Sequence, residues 1–250
     1  MIQSVERAFS LLETLDELGQ KGAALGDLAE KTGLKAPTAH NLLQTLVELG
    51  YATHRADTRR YGLGEKAWAL GRQQFMAGTL AKIARPFLQE LAVTFDETVL
   101  LALYRDGLRH TVASVESQQT LRVGGQVGVD SHIYGTATGR ILLSNLGNGV
   151  LTRFIKNHGL PGDSWPETAT EKDLRRTLEE IRDAKFVFYE RKPNHVQAAA
   201  VPVRISEPDT HVALGMYYPT VRPPQGGIPR LRKLLTKAAV AIAAEFERRG

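Results

Sequence analysis

Between Leu25 and Leu46 two short amphipathic segments flank one glycine, and their spacing constrains the fold more than any other feature of the chain. Leu25-Gly26-Asp27-Leu28-Ala29-Glu30-Lys31-Thr32-Gly33-Leu34 and Pro37-Thr38-Ala39-His40-Asn41-Leu42-Leu43-Gln44-Thr45-Leu46 each gather their apolar residues at helical spacing. Ala29 is small enough for two helices to cross closely, and Gly33 can take the positive φ of a tight turn. Leu28, Leu34, Ala39, Leu42 and Leu46 supply the face that joins the two helices. Pro37 suits the first helical position, where a backbone N–H has no intrahelical partner. The pattern predicts a helix-turn-helix.

Its neighbours extend the pattern. Val5, Ala8, Leu11, Leu12, Leu15 and Leu18 predict an earlier helix from about Val5 to Leu18, followed by a Gly/Ala-rich break at Gly19 to Ala24. After the pair, the β-prone stretches Tyr51 to Arg55 and Arg60 to Leu63 surround the polar turn Ala56-Asp57-Thr58-Arg59, as in a hairpin. On the second helix of the pair, Thr38, His40, Asn41 and Gln44 remain for the groove-facing side. Asn and Gln bond bidentately to adenine, and Thr contacts a phosphate or a thymine methyl. Lys35 lies just before that helix, beside the DNA backbone, and Arg55, Arg59 and Arg60 on the hairpin reach phosphates or a minor groove. Taken singly these signals are weak, because helix pairs with one glycine are common and arginines on a hairpin usually mark only a soluble turn. Three helices, a turn glycine and a basic hairpin in this order predict a winged helix-turn-helix that reads double-stranded DNA. A winged helix that binds protein would favour apolar residues where Thr38, His40, Asn41 and Gln44 stand.

The chain has 250 residues, 42% hydrophobic and 24% charged, which leaves room for two ordinary globular domains. No apolar run reaches the roughly 20 residues of a bilayer span, and Met1-Ile2-Gln3-Ser4-Val5-Glu6-Arg7 carries no signal-peptide pattern. There is no cysteine, so disulfides, thiolate metal sites and cysteine nucleophiles are excluded together. A cytoplasmic protein is expected. The net charge of +5 is not an argument for DNA, since acids and bases balance through Gly78 and the excess lies beyond it.

Glu65 to Met76 reads as a linker helix ending near Gly78, and Thr79 to Thr94 as another, kinked or restarted by Pro86. Val99 to Tyr104 and Leu108 to Val115 are strands around the Asp106-Gly107 turn. Thr170-Glu171-Lys172-Asp173 opens a helix reaching about Ala184. Phe186 to Tyr189, Val196 to Ile205 and His211 to Tyr218 read as strands, the last two separated by Glu207-Pro208-Asp209, and Ile228 to Arg249 as a closing helix. Helices alternating with mostly antiparallel strands predict an α+β domain. The expected organisation is residues 1–64 as the DNA-binding domain, 65–78 as the linker helix and 79–250 as the second domain.

Ser4-Val5-Glu6-Arg7-Ala8, Asp27 to Leu34, Thr38 to Leu46, Glu48-Leu49-Gly50-Tyr51 and Arg60-Tyr61-Gly62-Leu63-Gly64 resemble the IclR family of transcription regulators. The family usually has a basic residue and a Ser where this chain has Ala36 and Pro37, and an Arg at Asn41, departures that bear on the operator sequence and flatten the salt dependence of binding. The resemblance continues more loosely in Tyr134 to Leu143, Ala199 to Val203 and Val212 to Gly215, and implies a GAF-like effector-binding domain. It places the pocket at Tyr134, Ala137, Thr138, Phe188, Val196, Ala198, Gly215 and Tyr217. Family members that sense small polar acids tend to have an Asp, a Cys and two Ser where this chain has Phe188, Ala198, Gly215 and Tyr217. Two aromatic rings replacing small polar groups favour a planar organic effector, a small aromatic acid or derivative, with the hydroxyls of Tyr134 and Tyr217 orienting it. Core packing is the competing account of Phe188 and Tyr217.

Chemistry is not expected. The histidines, His40, His54, His110, His132, His158, His195 and His211, lack metal-ligand spacing, and His195 with Asn194 is read as tuning the effector. Gly124-Gly125-x-x-Gly128 lacks the strand–helix context of a phosphate loop, and no Gly-x-Ser-x-Gly elbow exists. No catalytic residue, metal or cofactor is assigned. The expected protein is a homodimer or homotetramer on a palindromic operator, a repressor of an aromatic-compound catabolic operon whose effector shifts its DNA-binding population. A short non-aromatic acid as effector, or an enzymatic second domain, are the alternatives.

Overall fold

The computed structural model describes residues 2–124, 127–191, 195–207 and 209–249. Gly125 of the glycine loop, Asn194 and Pro208 lie outside the described residues. The chain divides into two compact units, Met1–Met76 and Ala77–Gly250.

In the first unit, α1 (Gln3–Leu18), β1 (Ala23–Ala24), α2 (Leu25–Thr32), α3 (Ala36–Glu48), β2 (Ala52–Arg55) and β3 (Arg60–Leu63) follow one another. Leu11, Leu15, Leu28, Ala39, Leu43 and Leu46 form its core, with Leu34 and Leu42 packed around them. Val5 satisfies the helical period of α1 yet stays half exposed, since the core begins a turn later. Gly33 caps α2 at φ 66°, and the Leu34 N–H returns to the Ala29 carbonyl at 2.9 Å. Any added Cβ at Gly33 would meet open space, so the glycine is required by its backbone angle and not by crowding. α3 starts one residue earlier than expected, at Ala36, which makes Pro37 its second residue; that N–H also lacks an intrahelical partner. The hairpin falls where the sequence places it. The Gly19–Ala24 stretch, read as a break, contains β1, which pairs with β3 to make a three-stranded sheet of order β1-β3-β2.

Where two helices were expected, α4 (Glu65–Phe95) is one, running through Gly78 and Pro86. A glycine costs a helix only about 1 kcal/mol relative to alanine, too little to end one flanked by good helix formers. Pro86 is exposed, as is Lys82, whose carbonyl loses its donor, so water can satisfy it.

The second unit is built on a six-stranded antiparallel sheet, order β6-β5-β4-β9-β8-β7. Its strands are β4 (Thr98–Arg105), β5 (Leu108–Val115), β6 (Gly128–Asp130), β7 (Val187–Arg191), β8 (Val196–Val203) and β9 (Val212–Pro219). Against one face α5 (Ala137–Ser144) buries Ala137, Ile141 and Leu142 on Leu100, Ala102, Ala198, Ala200, Ala213 and Tyr217. The alternate residues Val99, Leu101, Ala199, Val201, Leu214 and Met216 are buried as well, and α8 (Gly227–Arg249) packs on β8 and β9, so both faces are covered. α6 (Asn148–His158) and α7 (Glu171–Ala184) join a second cluster with Tyr134, Phe154, Trp165 and Leu178. Thr170 caps α7 as its sequence predicts, accepting from the Asp173 N–H at 3.1 Å. β6 and α6 have no counterpart in the sequence reading. The architecture is α+β, as expected.

Candidate DNA interface and effector site

In the first unit α3 turns Ala39, Leu43 and Leu46 inward, which leaves His40, Asn41 and Gln44 exposed and Thr38 half-buried. Asn41 and Gln44 lie three residues apart and so share one stripe of the helix surface. Lys35 is the exposed N-cap residue. Two of the expected DNA contacts already have intramolecular work. The His40 Nδ1 lies 3.4 Å from the Tyr61 hydroxyl, and the Tyr61 ring packs against His54 with centroids 4.5 Å apart. Arg60 donates from Nη1 to the Gly22 carbonyl at 2.9 Å, fastening the segment before β1 to β3. Arg55 and Arg59 stand exposed at the hairpin end, Arg59 in the left-handed region at φ 53°.

The second unit brings most of the expected effector positions to one face of the sheet. Ala198 pairs with Tyr217 and Ala200 with Gly215, and Ala137 and Thr138 of α5 lie over them. The Thr138 and Tyr217 hydroxyls are 3.2 Å apart. A Cβ added at Gly215 would come within 2.5 Å of the Thr138 methyl, so α5 can approach the sheet here only over a glycine. Val196 packs at the edge of the same cluster.

Two expected positions do not join them. Phe188 pairs with Ala199, whereas its neighbours Val187 and Tyr189 pair with Ala200 and Ala198, so its ring points to the other side of the sheet and is 40% exposed. Tyr134 belongs to the cluster of Phe154 and Trp165, where its hydroxyl donates to the Gly159 carbonyl at 2.8 Å. Burial pushes that phenol up to about 12, so it keeps its proton and is occupied as a donor. Both misplacements have one cause: alignment to motifs assigns a position in the chain, while the pleat and the fold decide which way it faces.

Two buried arginines carry no local signal in the sequence. Arg140 of α5 lies between the rings of Trp165 and Tyr189, 4.0 and 4.2 Å from their centroids, and donates to the Tyr134 and Ser164 carbonyls. Burial draws its pKa below the ordinary guanidinium value. Arg109 of β5 donates from Nη1 to Thr111 Oγ1 at 3.1 Å and Thr138 Oγ1 at 3.4 Å, and from Nη2 to Asp130 Oδ2 at 2.8 Å. Burial pushes the Asp130 carboxyl up, but hydrogen bonds from Arg109 and His132 outweigh it and hold the group below its usual 3.8. In Leu108 to Val115 the apolar alternation would put Leu108 and Val112 inside and Arg109 outside; in the structure Arg109, Thr111 and Ala113 are the buried phase, and Arg109 pairs across the strands with Asp130. Among the described residues no cluster of His, Asp or Glu could hold a metal ion, and no helix is long and apolar enough to cross a membrane.

A helix-turn-helix with a basic hairpin, followed by an α+β unit with a helix laid on its sheet, defines a ligand-responsive transcription regulator. The chain belongs to the IclR family: residues 4–56 match the IclR helix-turn-helix domain and residues 75–244 the bacterial transcriptional regulator IclR C-terminal domain. It is 25% identical over 248 residues to the HTH-type transcriptional regulator XynR of Escherichia coli (strain K12), covering 97% of this chain and 96% of that protein. It is 23% identical to the acetate operon repressor of Salmonella typhimurium, covering 98% of this chain and 90% of that one. Among solved structures, an IclR homolog from Microbacterium hydrocarbonoxydans, complexed with 4-hydroxybenzoate, superposes with a TM-score of 0.58 at 23% identity, covering 98% and 99% of the two chains. The Thermotoga maritima IclR gives 0.60 at 21% identity, covering 98% and 99%. At these identities the two structures speak for the fold. The family's members are transcription regulators, not enzymes.

Proposed function

We propose that this chain represses a catabolic operon and that a small aromatic acid, or a derivative of one, relieves the repression. The carrying observation is the stripe Asn41–Gln44 exposed on α3 beside a hairpin that presents Arg55 and Arg59. α3 enters the major groove, where Asn41 and Gln44 read base edges, and Lys35, Thr38 and the hairpin arginines hold phosphates. The protein binds a palindromic operator as a homodimer or a pair of dimers, in the cytoplasm. Residues 65–78 of α4, which lie at the division between the units, link them. The effector binds on the α5 face of the sheet, among Ala137, Thr138, Val196, Ala198, Gly215 and Tyr217, and shifts the population towards the form with the lower operator affinity. An aromatic effector is supported by the rings of Tyr104, Tyr189 and Tyr217 around that face, and by the 4-hydroxybenzoate bound in one structural neighbour. A short non-aromatic acid is the second reading, favoured by the departure of Phe188 from the face.

Fluorescence anisotropy of the full chain on its own upstream DNA tests the proposal. The expected result is specific binding that benzoate, 4-hydroxybenzoate or phenylacetate weakens. Weakening by pyruvate or acetate alone would transfer the effector to the second reading, and equal affinity for random DNA at moderate salt would refute the regulator.

A further inference from the structure

Two guanidinium groups are buried in the second unit, and they differ in what is left over. Arg140 is filled on both faces by rings, and its Nε and Nη2 reach backbone carbonyls. Arg109 is only 8% exposed, yet its Nε has no hydrogen-bond partner among the described residues. A guanidinium carries five N–H donors in a rigid fork that matches two oxygens side by side. Asp130 does not fill that fork. It meets Arg109 through Nη2 alone, because its other oxygen accepts from the His132 N–H at 2.7 Å and faces His132 Nδ1 at 3.2 Å. A buried charged group with an unused donor is costly to keep unless something completes it.

The surroundings indicate what completes it. Arg109 and Thr111 lie on the α5 face of β5, and the hydroxyls of Thr138 and Tyr217 continue the polar line from Arg109 across to β9. Around this line stand Ala102, Ala137, Ala198, Ala200 and Ala213, which bring no other polar side chain. Arg109 is also next to the rim of the sheet, since β6 is the edge strand and Val129 there is 60% exposed.

We propose that Arg109 is the anchor for an anionic oxygen of the effector. A carboxylate accepts from Arg109 Nε, and Asp130 holds the guanidinium in place while competing with the ligand for its charge. The inference rests on the effector reading of this face and adds the residue that holds the acid group, whether or not the rest of the ligand is aromatic.

Isothermal titration of the full chain with two matched pairs, 4-hydroxybenzoate against 4-hydroxybenzamide and pyruvate against pyruvamide, tests the anchor without any substitution. In at least one pair the acid should bind more tightly by roughly tenfold or more. In Arg109→Gln that preference should fall to near unity. Where Arg109→Gln does not fold, Asp130→Asn serves instead: removing the competing carboxylate should raise the acid-over-amide preference, and an unchanged or lower preference would overturn the anchor. Acid and amide binding alike, or a preference that survives Arg109→Gln, would overturn it too. Acid-selective binding confined to pyruvate leaves the anchor standing and removes the aromatic reading. Silence from both acids overturns the two together.

Discussion

Replacing Gly215 with alanine probes the contact between α5 and the sheet most directly. The new Cβ would stand 2.5 Å from the Thr138 methyl, well inside van der Waals contact. Thr138 cannot swing away without loss: it is fully buried, it is β-branched on a helix, and its hydroxyl meets both Arg109 and Tyr217. Overpacking of this kind costs about 1–3 kcal/mol, while the loss of glycine's freedom in the unfolded chain returns about 0.4–1 kcal/mol. A net loss of about 1–2 kcal/mol lowers the melting temperature of a unit of this size by roughly 2–8 °C, measurable by scanning calorimetry. Thr138→Ser removes the opposing methyl and keeps the hydroxyl. Alone it should cost about 1 kcal/mol for the lost methyl, and combined with Gly215→Ala it should recover most of the alanine's penalty, because the two positions touch. A Gly215→Ala protein that melts like wild type, or a double variant whose losses simply add, would refute the close-approach reasoning.

Asn41→Ala and Gln44→Ala should each weaken operator binding by about 1–3 kcal/mol and relax base preference; wild-type affinity in both variants would mean that α3 is not the reading helix. Arg59→Ala should reduce the salt slope of DNA binding by roughly one phosphate contact without changing stability. Arg60→Ala should instead lower the melting temperature of the first unit, since its Nη1 holds the Gly22 carbonyl; a variant that melts normally but loses DNA would return Arg60 to the phosphates. Asp130 is held below 3.8 in the folded protein, so its contribution to stability is complete above that value and lost as pH falls through the lower folded one. The difference in melting temperature between wild type and Asp130→Asn should therefore shrink as pH falls below 3.8, and a widening gap would contradict the Arg109–Asp130 pairing.

The DNA-binding unit was legible from the sequence because its signals are local. Gly33, the apolar period of α2 and α3, and the Ala56 to Arg59 turn each declare themselves within a few residues. The strand β1 was not, since two alanines carry no β signal and pair only with a partner far along the chain. The sheet of the second unit was legible in its long strands, but its faces were not. With α5 on one face and α8 on the other, residues of both phases are buried and alternation no longer distinguishes inside from outside, so neither the side taken by Phe188 nor the burial of Arg109 can be read from the strand pattern. Arg109 becomes visible only when Asp130 is brought opposite it across β5 and β6. Gly78 marks no boundary in α4 because a single glycine costs a helix too little to end it among good helix formers.

Tyr61 has a consequence beyond its place in the small sheet. One buried ring rests against His54 of the hairpin, and its hydroxyl lies within hydrogen-bond distance of His40 of α3. The two parts that would grip DNA are therefore mounted on a common pivot, and neither can be re-angled without the other. New operator preferences would then come from exchanging outward tips such as Asn41, Gln44 and Arg59, like bits in a fixed chuck, while a change at Tyr61 would loosen every setting at once.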